Sequence, residues 1–282
     1  MLLVMLLLAF GPSLIWLYWL WSRDKFQREP LSLMLWLLAA GGAISVPLVL
    51  LTVPLYQHLV PTQGESVLLH MFLVAGLPEE IAKMLPVLLF AWRSPHWDEP
   101  FDGIVYAGAA ALGFHLVETI LYMVGSAQGP IGEVLYQGLI RGSKPGHMLY
   151  GVAMGYFLSR VKFARPQERW KYAIAALAVP VLLHTAWNTA AQYGGSIVGG
   201  TSLADLLFSL VAWGLSVVLW VIGFQYMRAD QADSPWNPEA HGIPTAPEPC
   251  PACGSRYPHT ANYCQSCGNR VQAFPQARAE TD

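Results

Sequence analysis

Glu79 and Glu80 stand side by side in SVLLHMFLVAGLPEEIAKMLPVLLFAW, residues 66 to 92, a stretch that is otherwise almost wholly apolar. A carboxylate of raised pKa can take a proton from water, and a second one beside it can hold or return that proton. Later apolar stretches add Glu118, His147 and His184, with Asn188 one helical turn beyond His184. Histidine can stabilise an oxyanion or carry protons near neutral pH. Together with a carboxylate it can also bind zinc and leave one position for water, so Glu118, His147 and His184 are candidate ligands for a catalytic metal. Lys83 follows the glutamate pair by one turn and is a partial counter-charge. The soluble-metalloprotease signature H-E-x-x-H, the G-x-S-x-G elbow and the P-loop are absent.

The elements that must carry these residues are membrane spans. Of 282 residues, 54% are hydrophobic and 12% charged, and the mean hydropathy is +0.40. A soluble domain averages about 25% charged residues, so the expected fold is an all-α polytopic membrane protein. Seven apolar segments cover residues 2 to 21, 31 to 55, 66 to 92, 101 to 125, about 133 to 160, 172 to 193 and 202 to 227. Arg141, Gly142, Lys144, Pro145 and Gly146 interrupt the fifth. This predicts an interfacial or re-entrant piece over 131 to 143 and a span beginning near Pro145. The first segment lacks a basic leader and a small-residue cleavage site, and reads as a retained span.

Every second loop is basic: Arg23, Lys25 and Arg28, then Arg93, then Arg160 to Lys171, then Arg228. Positive residues face the cytoplasm, which predicts an extracytoplasmic N-terminus and a cytoplasmic C-terminus. With this topology Glu79 and Glu80 fall near mid-bilayer, while Glu118, His147, His184 and Asn188 fall in its outer half. A charge at that depth costs at least about 2.5 kcal/mol, and lipid offers nothing in return. One shared polar cavity accounts for all of them. His115 reads instead as a hydrogen bond between helices, and Glu133 and Asp205 as solvated groups at span ends.

Beyond residue 228 the composition changes. Residues 229–249 are a Pro-rich linker, and residues 250–270 hold Cys250, Cys253, Cys264 and Cys267 as two C-x2-C pairs ten residues apart. That spacing predicts a zinc ribbon whose four thiolates fill the shell of a structural zinc. Arg256 and Arg270 make no basic stripe, so a cytoplasmic protein is the expected partner of the ribbon rather than nucleic acid. Residues 1–228 form the membrane domain.

The motif set resembles the PrsW family of intramembrane proteases, related to the CAAX prenyl protease and bacteriocin-immunity group. The residues that carry the resemblance are Glu79-Glu80-Ile81-Ala82-Lys83 (E-E-x-x-K), Phe114 to Glu118 (F-x-x-x-E), PGHMLYGVAMGYF with His147, and HTAWN with His184 and Asn188. It covers about residues 30 to 225 and leaves out the ribbon. His115 within the second motif and the ribbon itself are departures. The resemblance implies hydrolysis of a membrane-anchored protein such as an anti-sigma factor, near the extracytoplasmic side. It also implies either metal chemistry, as the family is usually classed, or glutamate-activated water, as argued for the prenyl proteases. Two other classes compete: a proton- or cation-coupled transporter, for which intramembrane Glu and His are common, and a non-catalytic scaffold that recruits partners through its ribbon.

Overall fold

The computed structural model describes residues 2–59, 67–142, 144–194, 203–234, 237, 248–257, 264, 267 and 269–271. Its helices are α1 (Leu2–Arg23), α2 (Leu31–Leu59), α3 (Val67–Met71), α4 (Leu77–Pro86), α5 (Pro100–Gly125), α6 (Ile131–Tyr136), α7 (Gly146–Phe163), α8 (Arg169–Gly194) and α9 (Leu203–Ala232). Each of the seven apolar segments is helical. Four helices, at Leu2–Arg23, Leu31–Thr52, Pro100–Gly125 and Arg169–Ala191, are long and apolar enough to cross a membrane among the described residues. Large apolar side chains on the outside, such as Leu50 and Leu89, suit contact with lipid.

The fifth segment is divided as its breakers predict. α6 continues through a π-turn (Gln137–Arg141), and α7 starts at Gly146 with Pro145 before it. A Cβ on Gly138 would meet Leu8 and Met123, so this piece packs on the N-terminal half of α1 and the C-terminal half of α5. The linker expected over residues 229–249 lies for the most part outside the described residues, and its first residues are helical. α9 itself runs on to Ala232, because Arg160 holds Asp230 at 2.8 Å and Asp233 at 3.0 Å.

α5 is the axis of the bundle. Its run DGIVYAGAAALGF has little side-chain bulk, which lets neighbouring backbones come close, as membrane helices need in the absence of a hydrophobic drive between them. A Cβ on Gly113 would stand 1.8 Å from Leu38 O of α2, and one on Gly155 of α7 would stand 2.0 Å from Gly103 O. Phe101, Ile104, Tyr106, Leu112 and Phe114 are buried between α1, α2 and α7.

The third apolar segment is a helix with two π-turns, Phe72–Gly76 and Val87–Ala91, flanking α4. Pro78 and Pro86 have no N–H for the regular ladder, and Leu77 N–H reaches back to Phe72 O instead. These widened turns bracket the segment that carries Glu79, Glu80 and Lys83.

Candidate active site

α4 presents Glu80 and Lys83 at full burial, while the side chain of Glu79 keeps 15% of its exposure. Lys83 Nζ donates to Glu80 Oε1 at 2.7 Å and to Glu79 Oε2 at 3.4 Å. It also lies 2.7 Å from His147 Nδ1, 64 residues on in the chain. An ammonium has donors only, so His147 Nδ1 must accept. The proton of this imidazole therefore sits on Nε2, which lies 2.8 Å from Glu118 Oε2.

His184 is set by the same logic. Its Nδ1 lies 2.8 Å from Glu80 Oε1 and donates to it, leaving Nε2 to accept from Asn188 Nδ2 at 3.1 Å. Tyr150 stacks on the ring at 4.8 Å, and Phe114 lies 4.5 Å beneath the Lys83 ammonium. Gly76 makes the approach of α8 possible, because a Cβ there would stand 2.1 Å from Thr185 Oγ1. Four elements thus converge: α4, the C-terminal half of α5, the first turn of α7 and the middle of α8.

Glu79 Oε2 is the loosely held oxygen of the group. It lies 3.4 Å from Lys83, 3.8 Å from His184 Nε2 and 4.0 Å from His147 Nδ1. A cavity of about 370 Å³ opens beside the histidines. His115, His147, Tyr150, His184, Asn188 and Trp213 line part of it.

A search of protein families matches residues 29–227 to the PrsW family intramembrane metalloproteases. The chain belongs to the PrsW family. The Protease PrsW of Clostridioides difficile (strain 630) is 35% identical over 182 residues, 63% of this chain and 75% of that protein. That of Bacillus subtilis (strain 168) is 29% identical over 178 residues, covering 63% and 78%. That of Halalkalibacterium halodurans is 26% identical over 228 residues, covering 80% and 96%. No solved structure matches. The protein is an intramembrane protease, which removes the transporter and scaffold readings; its substrate is a protein at the membrane.

A PrsW metalloprotease calls for a metal, and the site offers two overlapping donor sets. Glu79, His147 and His184 bring ligand atoms within 4.8 Å of one another, and so do His115, Glu118 and His147. Two imidazoles with one carboxylate match the donors of catalytic zinc. Glu118, His147 and His184, grouped by sequence, divide between the two sets. The Lys83 ammonium stands at the first set, against His147 Nδ1 and Glu79, where it would repel a second cation. The second set meets His147 on its Nε2 side, with the ring in between. His115, expected only to join helices, does face Gly142 O at 3.4 Å, yet it also belongs to this set. Its place at the start of the turn that ends in Glu118 was the signal. Phe114 opens the F-x-x-x-E motif but nothing in the sequence assigned it a role at the Lys83 ammonium, and Tyr150 left no signal of its own, since aromatics abound in this chain. Glu133 is exposed, as expected, and the side chain of Asp205 lies outside the described residues.

In the tail, Cys250 and Cys267 Sγ are 3.7 Å apart, and Cys253 and Cys264 Sγ 3.6 Å. Four sulfurs at about 2.3 Å from a tetrahedral zinc would be about 3.8 Å apart, so the cluster fits this metal. A two-residue antiparallel ladder, β1 (Glu248–Pro249) with β2 (Arg256–Tyr257), closes the first knuckle. Gly254, at φ 73°, makes its turn and donates to Cys250 O at 2.8 Å.

Proposed function

We propose that the chain hydrolyses a peptide bond of a membrane-anchored protein, such as an anti-sigma factor, with Glu79 as the base. The observation that carries this reading is the loose setting of Glu79 Oε2 among three polar groups, whereas Glu80 is fully buried and spent on Lys83 and His184. Glu79 takes a proton from water as the oxygen attacks the scissile carbonyl, and delivers it to the leaving amine as the C–N bond breaks. Asn188, at the cavity wall, offers its remaining N–H to the oxyanion. Lys83 and Glu80 hold His147 and His184 in the tautomers derived above. His115, Glu118 and His147 would hold a divalent cation in place of the proton that His147 Nε2 carries without it, with Nδ1 then sharing one proton with Lys83, and the cation would supply a polarised carbonyl and a more acidic water.

The fold supports the topology read from the basic loops. The Gln231 side chain donates to Arg23 O at 2.6 Å and Lys162 to Trp92 O at 3.1 Å, so the basic ends of α1, α7 and α9 meet at one end of the bundle. Glu118 and His147 lie toward the other end, which supports cleavage near the extracytoplasmic side of the cell membrane. The zinc ribbon is then cytoplasmic and serves as a docking module for a protein partner.

The test is Glu79→Gln in detergent-purified protein, assayed on a membrane-anchored substrate and by metal analysis after removal of residues 235 to 282. Cleavage should fall about 10²- to 10⁴-fold, with Tm and bound metal retained. Glu118→Gln should lose the metal. A Glu79→Gln protein that cleaves at the normal rate would end this assignment, and one that loses its metal would make Glu79 a ligand.

A further inference from the structure

At the opposite end of the bundle a second group of acids is buried, and no step of proteolysis uses it. Asp24 and Glu29 come from the α1–α2 loop, and Glu99 and Asp102 from the start of α5, all at 2% exposure or less. Asp102 precedes Glu118 by 16 residues, about 24 Å along the helix at about 1.5 Å per residue, so the two centres are separate.

Some of this acidity is answered. Asp102 Oδ2 accepts from the backbone N–H groups of Asp98 and Glu99 at 2.8 Å, Tyr106 donates to Glu29 Oε2, and Ser234 donates to Glu99. Gln27 donates to Asp98 at 3.2 Å. The rest is not. Both oxygens of Asp24, Glu29 Oε1 and Asp102 Oδ1 are buried without a hydrogen-bond partner. The nearby backbone of Gln27, the Glu99 carboxyl and the backbone of Glu29 only moderate the effect of burial on Asp24. Two cations face the cluster, and neither closes it. Arg28 stacks on Trp21 at 4.8 Å, and Lys162 gives its hydrogen bond to Trp92 O.

Asp24, Glu99 and Asp102 bring one oxygen each within 4.8 Å of one another. Oxygens bound to one ion at about 2.1 to 2.5 Å are separated by no more than about 5 Å. Carboxylate oxygens as the only donors select a hard ion rather than zinc or copper. We propose that Asp24, Glu99 and Asp102 form a binding site for a hard divalent cation, Mg2+ or Ca2+, which ties the α1–α2 loop to the start of α5. Glu29 stands next to it, with one oxygen held by Tyr106 and the other turned to the cluster. Burial pushes Asp24 up to about 8 and Glu29 and Glu99 well above the carboxylate range, so protons are the competitor for the same oxygens.

Tb3+, a hard-ion probe whose emission is sensitised by nearby tryptophan, tests the site in the full chain in detergent. Trp97 lies 5.6 Å from Tyr106, which bonds Glu29, and is placed to excite it. Sensitised emission should saturate and be displaced by Ca2+ or Mg2+, and Tm should rise with either ion. Asp24→Asn and Glu99→Gln should each weaken Tb3+ binding at least about 10-fold, whereas Cys250→Ala with Cys253→Ala and Glu79→Gln should keep it. Absence of saturable emission from the wild-type protein, or unchanged emission in both Asp24→Asn and Glu99→Gln, would overturn the proposal. So would a Tm independent of Ca2+ and Mg2+, which would leave the cluster closed by protons.

Discussion

Both ends of this bundle bury carboxylates, but they close their charge differently. Around α4, Lys83 sends hydrogen bonds to Glu79, Glu80 and His147, and His184 adds one to Glu80. The network carries its own cation and holds two imidazoles in defined tautomers, as a site for proton transfer needs. Around Asp24, acids outnumber their donors and buried oxygens are left over. A buried charge is tolerable only when paired and hydrogen-bonded. The first cluster therefore brings a cation of its own, although Glu80 Oε2 stays buried without a hydrogen-bond partner, and the second, as proposed above, takes its cation from solution.

The largest effect expected from this contrast is that of Lys83→Met. It strips the internal cation and should lower unfolding free energy by about 3 to 5 kcal/mol, measured by denaturant titration in micelles, with loss of cleavage. Asn188→Ala should leave stability near wild type and lower kcat about 10²- to 10³-fold, read in single-turnover cleavage. Gly76→Ala forces a Cβ against Thr185 and moves His184 from Glu80. A displacement of about 1 Å can cost about 10²-fold, so kcat should fall by that order. Above the raised Asp24 value of about 8, where the carboxyl is ionised, Asp24→Asn should change stability with the opposite sign to Lys83→Met in cation-stripped protein. It should gain about 1 to 3 kcal/mol by removing an uncompensated buried charge, and a loss instead would erase the distinction between the two clusters. Cys250→Ala with Cys253→Ala should unfold the ribbon and shift the stability of the membrane domain by less than about 0.5 kcal/mol, seen as an unchanged main transition in calorimetry.

The first cluster was legible because an ionisable residue inside an apolar span demands an explanation wherever it occurs. Glu79, Glu80, Glu118, His147 and His184 announce themselves one by one, and the expected topology puts them in the middle-to-outer half of the bilayer. The second cluster was invisible for the converse reason. Asp24, Glu29, Glu99 and Asp102 sit at span ends, where an acid ordinarily meets water, and 70 or more residues separate the two halves of the group. The break at residues 141 to 146 was legible too, since Pro145 and two glycines cannot sit in a regular helix interior.

Sequence alone thus determined the membrane class, the helical segments, the polar residues that share a depth and the four cysteines of the tail. Each follows from local composition and spacing set against the cost of putting charge into lipid. Only the tertiary structure decided which partner each polar atom has. Lys83 reaches His147 because α7 starts beside α4, Glu80 is locked while Glu79 stays loose because α8 closes over one of them, and the acids of two distant loops fold into one buried group. Such pairings depend on how helices pack across long sequence separations, and no local pattern carries that information.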